Sequence, residues 1–276
     1  MIIIQLKGGL GNQLFLVALG EYLKSLSIIV KYDIYTGFEN DYKYNRKLVI
    51  FGLIKKNDIL FPKMSFGLYL IKFTAKLFPI FINNILSNGV EPIEHLFSRM
   101  NNKRIHYLDG YWFDSKLYDA NVNLNFLNNV CKVLDLNHVS SQNSVAIHLR
   151  IYNESNYVNE VNDFFEMHHE IFISLFKSYC NPAKIFSNSN KGSSYLKQKI
   201  TSIYNISINQ FSSDNELDDF REAVKSKYFI GSPSTYSLWI AIFIKRAGGS
   251  VYLPQDNISS DVFSWIPNIM MSEHLL

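Results

Sequence analysis

The chain has 276 residues, of which 47% are hydrophobic and 18% charged, a composition that supplies a globular core and excludes a disordered chain. Its 27 Lys and Arg against 24 Asp and Glu leave a net charge of +3 with no basic run, which argues against a nucleic-acid partner. Two cysteines, Cys131 and Cys180, in no paired spacing read as reduced thiols of a cytoplasmic protein.

Residues 2–6 form an apolar run that stops at Lys7 and is followed by glycines, which predicts a strand rather than a secretory signal. The loop Gly8-Gly9-Leu10-Gly11-Asn12-Gln13 comes next, then a helical pattern over 14–26 and a second strand over 28–35. Residues 40–105 read as mainly helical. Within them 64–82 are strongly apolar, but Lys72, Lys76 and Pro79 interrupt the run. An amphipathic helix, compatible with peripheral membrane contact, fits this better than a membrane span. Residues 107–112 predict a short strand running into a loop. From about residue 138 the alternation sharpens: strands over 144–150, 184–187, 206–211, 228–230 and 251–253 alternate with helices over 168–179, 193–203, 216–225 and 234–246. Asp214 is the expected cap of the third of these helices and Gly248-Gly249 ends the fourth. The pattern predicts an α/β fold of two Rossmann-like domains, 1–137 and 138–276, with ligands beyond the carboxyl ends of the parallel strands.

Three constellations could carry chemistry. In the glycine loop, three glycines after a strand let the backbone approach a ligand, and Asn12 and Gln13 supply directional hydrogen bonds. The loop matches neither G-x-G-x-x-G nor a P-loop, and a plain tight turn is the alternative. His148-Leu149-Arg150 lies at the carboxyl end of an apolar strand, where two-residue alternation puts His148 and Arg150 on one face. A guanidinium fork suits a diphosphate; the alternative is a structural ion pair with a carboxylate. Ser232-Pro233-Ser234-Thr235-Tyr236-Ser237 joins a strand to a helix, and its hydroxyls and first-turn N–H groups form either an anion site or an ordinary cap. No Asp-x-Asp triplet occurs, and the tandem His168-His169 diverges around a helix, so no metal site is expected.

Together these pieces resemble glycosyltransferase family 11, the α-1,2-fucosyltransferases. Gly8 to Phe15 matches that family's G-G-L-G-N-Q-L-F block, and Asp109-Gly110-Tyr111-Trp112 its D-G-Y-W segment. His148-x-Arg150 matches the start of H-x-R-R-G-D-Y. The spacing from Asp219 to Ser234-Thr235-x-Ser237-x-Trp239 equals that from D-L-x-L-M to S-S-F-S-W-W, and Val251 to Pro254 resembles the closing strand. The resemblance implies a GT-B-like architecture, two Rossmann-like domains facing across a cleft. It also implies GDP-fucose as donor and inverting, metal-independent transfer to a hydroxyl, galactose O2 in an α-1,2 linkage, with no cofactor. Arg150 would hold the β-phosphate, Ser234, Thr235 and Ser237 would add donor contacts, and Asp219 would lie near the guanine. Gly9, Gly11, Asn12, Gln13 and Trp112 would face the sugar or acceptor side. His148, Glu154 and Asp109 are candidates for a catalytic role, with Glu160 and Asp163 as further carboxylates near the H-x-R strand.

The implied acceptor is a galactose-containing oligosaccharide or lipid-linked glycan in surface polysaccharide synthesis, at the cytoplasmic face of the plasma membrane. Ile151 stands where the family block has its second arginine, Asn153 where it has aspartate, Ser187-Asn188-Ser189 where it has S-D-D, and Leu238 at the first Trp of its W-W pair. These departures keep two alternatives open: a GT-B transferase for another nucleotide sugar, and a non-catalytic GDP-sugar-binding protein.

Overall fold

The computed structural model describes residues 1–39, 41, 45–60, 82–100, 105–113, 117, 120–136, 143–177, 182–213 and 215–253. The chain divides into two compact units, Met1–Leu134 and Asp135–Leu276. The apolar segment expected as a helix lies outside the described residues up to 81, as do Cys180, Asp214 and Pro254.

The first unit contains β1 (Ile2–Gln5), α1 (Leu10–Ser25), β2 (Val30–Asp33), β3 (Ile82–Pro92), α2 (Ile93–Arg99), β4 (Ile105–Phe113) and α3 (Ala120–Val133). Its sheet runs β2-β1-β4-β3 with every pairing parallel. All four residues of β1 are buried, as expected where both faces of a parallel strand are covered. Strand β1 last pairs at Ile4 with Leu108, whereas β4 continues to Phe113 beside β3. Residues 109–113 therefore overhang the end of β1. Gly110 is required there, because a Cβ would stand 2.4 Å from the Ser87 Cβ where the β3 register shifts.

The helical expectation for 40–105 is corrected: the described part holds the long strand β3, the short α2 and single 3-10 turns at Phe51–Leu53 and Lys56–Asp58. The short strand expected over 107–112 extends to nine residues.

The second unit contains β5 (Val145–Leu149), α4 (Tyr157–Met167), α5 (His169–Lys177), β6 (Ala183–Ser187), α6 (Asn190–Tyr204), β7 (Ile208–Gln210), α7 (Glu216–Ala223), β8 (Tyr228–Gly231), α8 (Thr235–Arg246) and β9 (Ser250–Tyr252). Its parallel order is β7-β6-β5-β8-β9, so the α/β class and the parallel sheet expected from the alternation are found. The chain winds outward from β5 through β6 to β7, then crosses back to β8 and β9. This reversal places the topological switch point between the carboxyl ends of β5 and β8, where open α/β sheets bind ligands.

Below that edge Val145, Ile147 and Leu149 pack with Phe165 and Phe172, whose rings stack 5.3 Å apart. The helix expected over 168–179 begins at His169, and α4 precedes it in residues to which the sequence assigned no element. Among the described residues no helix is long and apolar enough to cross a membrane.

Candidate functional site

Arg150 is the first residue beyond β5, and its backbone is held from both neighbouring strands. Its N–H donates to Ser232 Oγ at 2.9 Å, while Ser232 N–H donates to His148 O at 2.9 Å. On the other side Asn188, just past β6, accepts from Ile151 N at 2.9 Å and donates to Ile151 O at 2.8 Å. An aspartate, as in the family segment, could make only the first of these bonds. The guanidinium is partly exposed, and among the described residues no carboxylate pairs with it. Its Cζ lies 5.9 Å from the Tyr152 ring centroid. Among the described residues the structural ion pair weighed for this arginine is thus not found.

Across the switch point, Ser234 caps α8 by accepting from Ser237 N at 3.1 Å, and Thr235 opens the helix. First-turn N–H groups point out of a helix and carry its positive dipole end. A cationic fork and a helix N-terminus therefore lie at one crevice, an arrangement suited to a diphosphate.

His148 and Ser237 lie beneath this surface. Ser237 is fully buried, and its Oγ is 2.6 Å from His148 Nδ1, so it serves the histidine and not a ligand, correcting its expected donor contact. The His148 ring rests 4.9 Å from that of Tyr236. Burial first, and the Arg150 charge second, push its pKa down to about 3. A neutral, engaged imidazole of that basicity is a poor general base near pH 7, and its expected catalytic role becomes one of support.

The carboxylates separate by environment. Asp219 on α7 accepts from Ser213 N at 2.9 Å and Ser213 Oγ at 2.8 Å, fixing the loop beyond β7; burial raises its pKa against those two bonds. Glu160 accepts from Tyr152 N at 2.7 Å and Asn153 N at 2.9 Å, so it braces the Arg150 loop from α4. Glu154 is exposed and accepts from Ser189 Oγ at 3.0 Å. Asp163 is exposed on α4.

In the first unit, Gly8 turns the chain out of β1 with φ +79°, and Gly9 caps α1. Helix α1 begins at Leu10, four residues before its expected start, so Gly11, Asn12 and Gln13 form its first turn. Lys7 pairs with Asp109 at 2.7 Å and lies 5.0 Å from the Tyr111 centroid, while Asn12 Nδ2 donates to Tyr111 Oη at 3.2 Å. Lys7, Asn12, Asp109 and Tyr111 thus gather where β4 overhangs β1.

Three members of the expected sugar-facing set are corrected. Gln13 is fully buried; its Nε2 donates to Gly8 O at 2.9 Å and Lys47 O at 2.8 Å, and its Oε1 accepts from Val49 N at 2.9 Å. Its amide staples the 47–49 segment to the glycine turn. Trp112 is 1% exposed with a buried indole N–H that finds no hydrogen bond among the described residues, and Gly11 is also buried.

Sequence reasoning missed Lys7 and Tyr152, and although it named Ser232, Asn188 and Glu160 it did not foresee that they brace the Arg150 loop. Their shared signal was position: Lys7, Tyr152, Asn188 and Ser232 lie just beyond strand ends, and Glu160 lies in the first turn of α4. Among the described residues no group of three or more His, Cys, Asp or Glu is placed to hold a metal ion.

No family model matches the chain, and no curated protein matches it. Among solved structures it is similar to POFUT1 in complex with GDP, with TM-score 0.44, 11% identity, and 91% of this chain and 97% of that chain covered. It is similar to POFUT1 in complex with GDP-fucose, with TM-score 0.45, 10% identity and coverage of 91% and 97%. It is also similar to the E. coli heptosyltransferase WaaC with ADP-2-deoxy-2-fluoro heptose, with TM-score 0.36, 8% identity and coverage of 91% and 87%.

Proposed function

We propose that this chain is an inverting, metal-independent glycosyltransferase that moves L-fucose from GDP-fucose to a hydroxyl of a glycan, in an α-1,2 linkage to galactose. The observation that carries the reading is Arg150: a guanidinium with no carboxylate partner among the described residues, clamped by its backbone at the switch point beside the start of α8. The H-x-R and glycine-loop resemblances supply the donor and the linkage. The acceptor oxygen attacks the anomeric carbon from the face opposite the diphosphate. The carbon–phosphate-oxygen bond breaks, GDP leaves with the electron pair, and a carboxylate takes the acceptor proton. Arg150 and the first turn of α8 oppose the negative charge that develops on GDP. Asp109 and Glu154 remain the carboxylates proposed for the proton. Asp219 is proposed for the guanine, and a cytoplasmic, membrane-face site of action follows from the lipid-linked acceptor.

A second donor is favoured by one observation. Ile151, at the place of the family block's second arginine, is 3% exposed and packed in the core. That exchange removes a charge from the site and favours a different nucleotide sugar.

Calorimetric titration with GDP, GDP-fucose, GDP-mannose and UDP-galactose in EDTA separates the two. The fucose reading expects GDP and GDP-fucose to bind without metal. Arg150→Ala should weaken both by about 10- to 100-fold, the loss of a charge-assisted bond of about 1.5–3 kcal/mol. Unchanged GDP affinity in that variant, or binding of UDP-galactose alone, would overturn it.

A further inference from the structure

We infer that the Tyr152 ring is an aromatic platform on which the transferred sugar stacks, an inference that rests on the donor reading above. Tyr152 is 67% exposed, yet it is not loose. Its N–H donates to Glu160 Oε2 at 2.7 Å, and its hydroxyl reaches across the switch point to donate to Pro233 O at 2.7 Å. Both ends of the side chain are anchored, one on the loop after β5 and the other on the loop after β8. Arg150 lies 5.9 Å from the centroid, within the range of a cation–π contact. A tyrosine tethered by its polar tip presents flat, apolar area at little conformational cost on binding. The family block has glycine at this position, so the ring belongs to this chain's own site.

Its place in the sheet says which part of a donor it would meet. Asp219 anchors the loop beyond β7, two strands from β5 on the β6 side, roughly 10 Å away at ordinary strand spacing. Tyr152 spans the opposite gap, between β5 and β8. A nucleotide sugar with its base toward Asp219 and its diphosphate at Arg150 lays its sugar over the Tyr152 ring. The C–H face of a pyranose, like other apolar surface, gains by covering an aromatic face that water otherwise wets.

The test is calorimetric titration of the full-length chain and its Tyr152→Ala and Tyr152→Phe variants with GDP and with GDP-fucose. In Tyr152→Ala the ratio of GDP-fucose to GDP affinity should fall about fivefold, which is about 1 kcal/mol. Tyr152→Phe keeps the ring and loses only the Pro233 tether, so that ratio should stay within about twofold of the unaltered chain. An equal loss for both ligands in Tyr152→Ala overturns the inference, because the ring then serves the nucleotide or Arg150. No loss for either ligand also overturns it. If the unaltered chain binds neither ligand, the donor reading fails and this inference falls with it, an outcome distinct from the other two.

Discussion

Ser237 N–H, Ser234 Oγ, Ser237 Oγ and His148 Nδ1 form one continuous chain of hydrogen bonds under the start of α8, at 3.1, 3.1 and 2.6 Å. With His148 neutral, its bare Nδ1 can end the chain as acceptor, which fixes both serine hydroxyls and with them the first turn of the helix. His148→Asn keeps an acceptor close to the Nδ1 position, whereas His148→Leu removes it. The leucine variant should bind GDP at least about fivefold more weakly than the asparagine variant, the effect of one buried bond of about 1 kcal/mol, measured by titration.

The same residue also sets a pH slope. Unfolded histidine takes up a proton near 6.5, but folded His148 refuses it until about 3, so its contribution is fully present above 6.5 and is lost as the pH falls. Each pH unit in that window costs up to about 1.4 kcal/mol, and urea midpoints against pH should show a shallower acid slope in His148→Asn. Buried His168, lowered to about 4, leaves a residual slope of the same sign. Sequence spacing placed His148 and Arg150 on one face. The alternation that warrants this ends at Leu149, where β5 ends, so the ring turns down to Ser237 while Arg150 belongs to the loop.

At the level of elements, the glycine turn, α1 and the strands of the second unit were legible, because apolar runs bounded by Gly, Pro and Asn leave few other readings. Strand β3 was not. Its sequence INNILSNGVEP is rich in turn formers, and it is extended because it pairs in parallel with β4, a long-range contact that outweighs local preference. Helix α4 did carry a signal, since Val161, Phe164, Phe165 and His168 recur at helical spacing and are all buried, but acidic and amide residues are interspersed among them.

Helix α7 was legible, and its cap is Asn215, whose side chain accepts from Leu217 N at 3.0 Å. Asn215→Ala should lower stability by about 1 kcal/mol, and Asn215→Asp should restore it, since aspartate caps as well and suits the dipole. Urea midpoints of the three chains test this, and equal midpoints would refute the assignment of the cap.

For the molecule as a whole, the proposed donor contacts all fall within one of the two units. Arg150, Tyr152, Asp219, Ser234 and Thr235 lie in Asp135–Leu276, which has its own parallel sheet and its own aromatic core. A fragment of those residues should fold and bind GDP within about tenfold of the full chain while transferring no sugar. An unfolded fragment, or one that folds without binding GDP, would show that the first unit is needed for donor capture. The alternation of strand and helix in the second unit could be read from the sequence because its connections are short. The Lys7, Asn12, Asp109 and Tyr111 cluster could not, because it joins residues about 100 positions apart through the β1–β4 pairing.

Gly192 in the first turn of α6 carries no Cβ, and one placed there would stand 2.8 Å from Ile151 Cγ1 and 3.1 Å from Ser189 Oγ. Ile151, at the place where the family block has its second arginine, fills the space this glycine leaves. The two positions are therefore coupled in size and polarity: an arginine at 151 would bring its charge into a space shaped for a hydrocarbon. A larger residue at 192 should then be accommodated only where the one at 151 is trimmed as well.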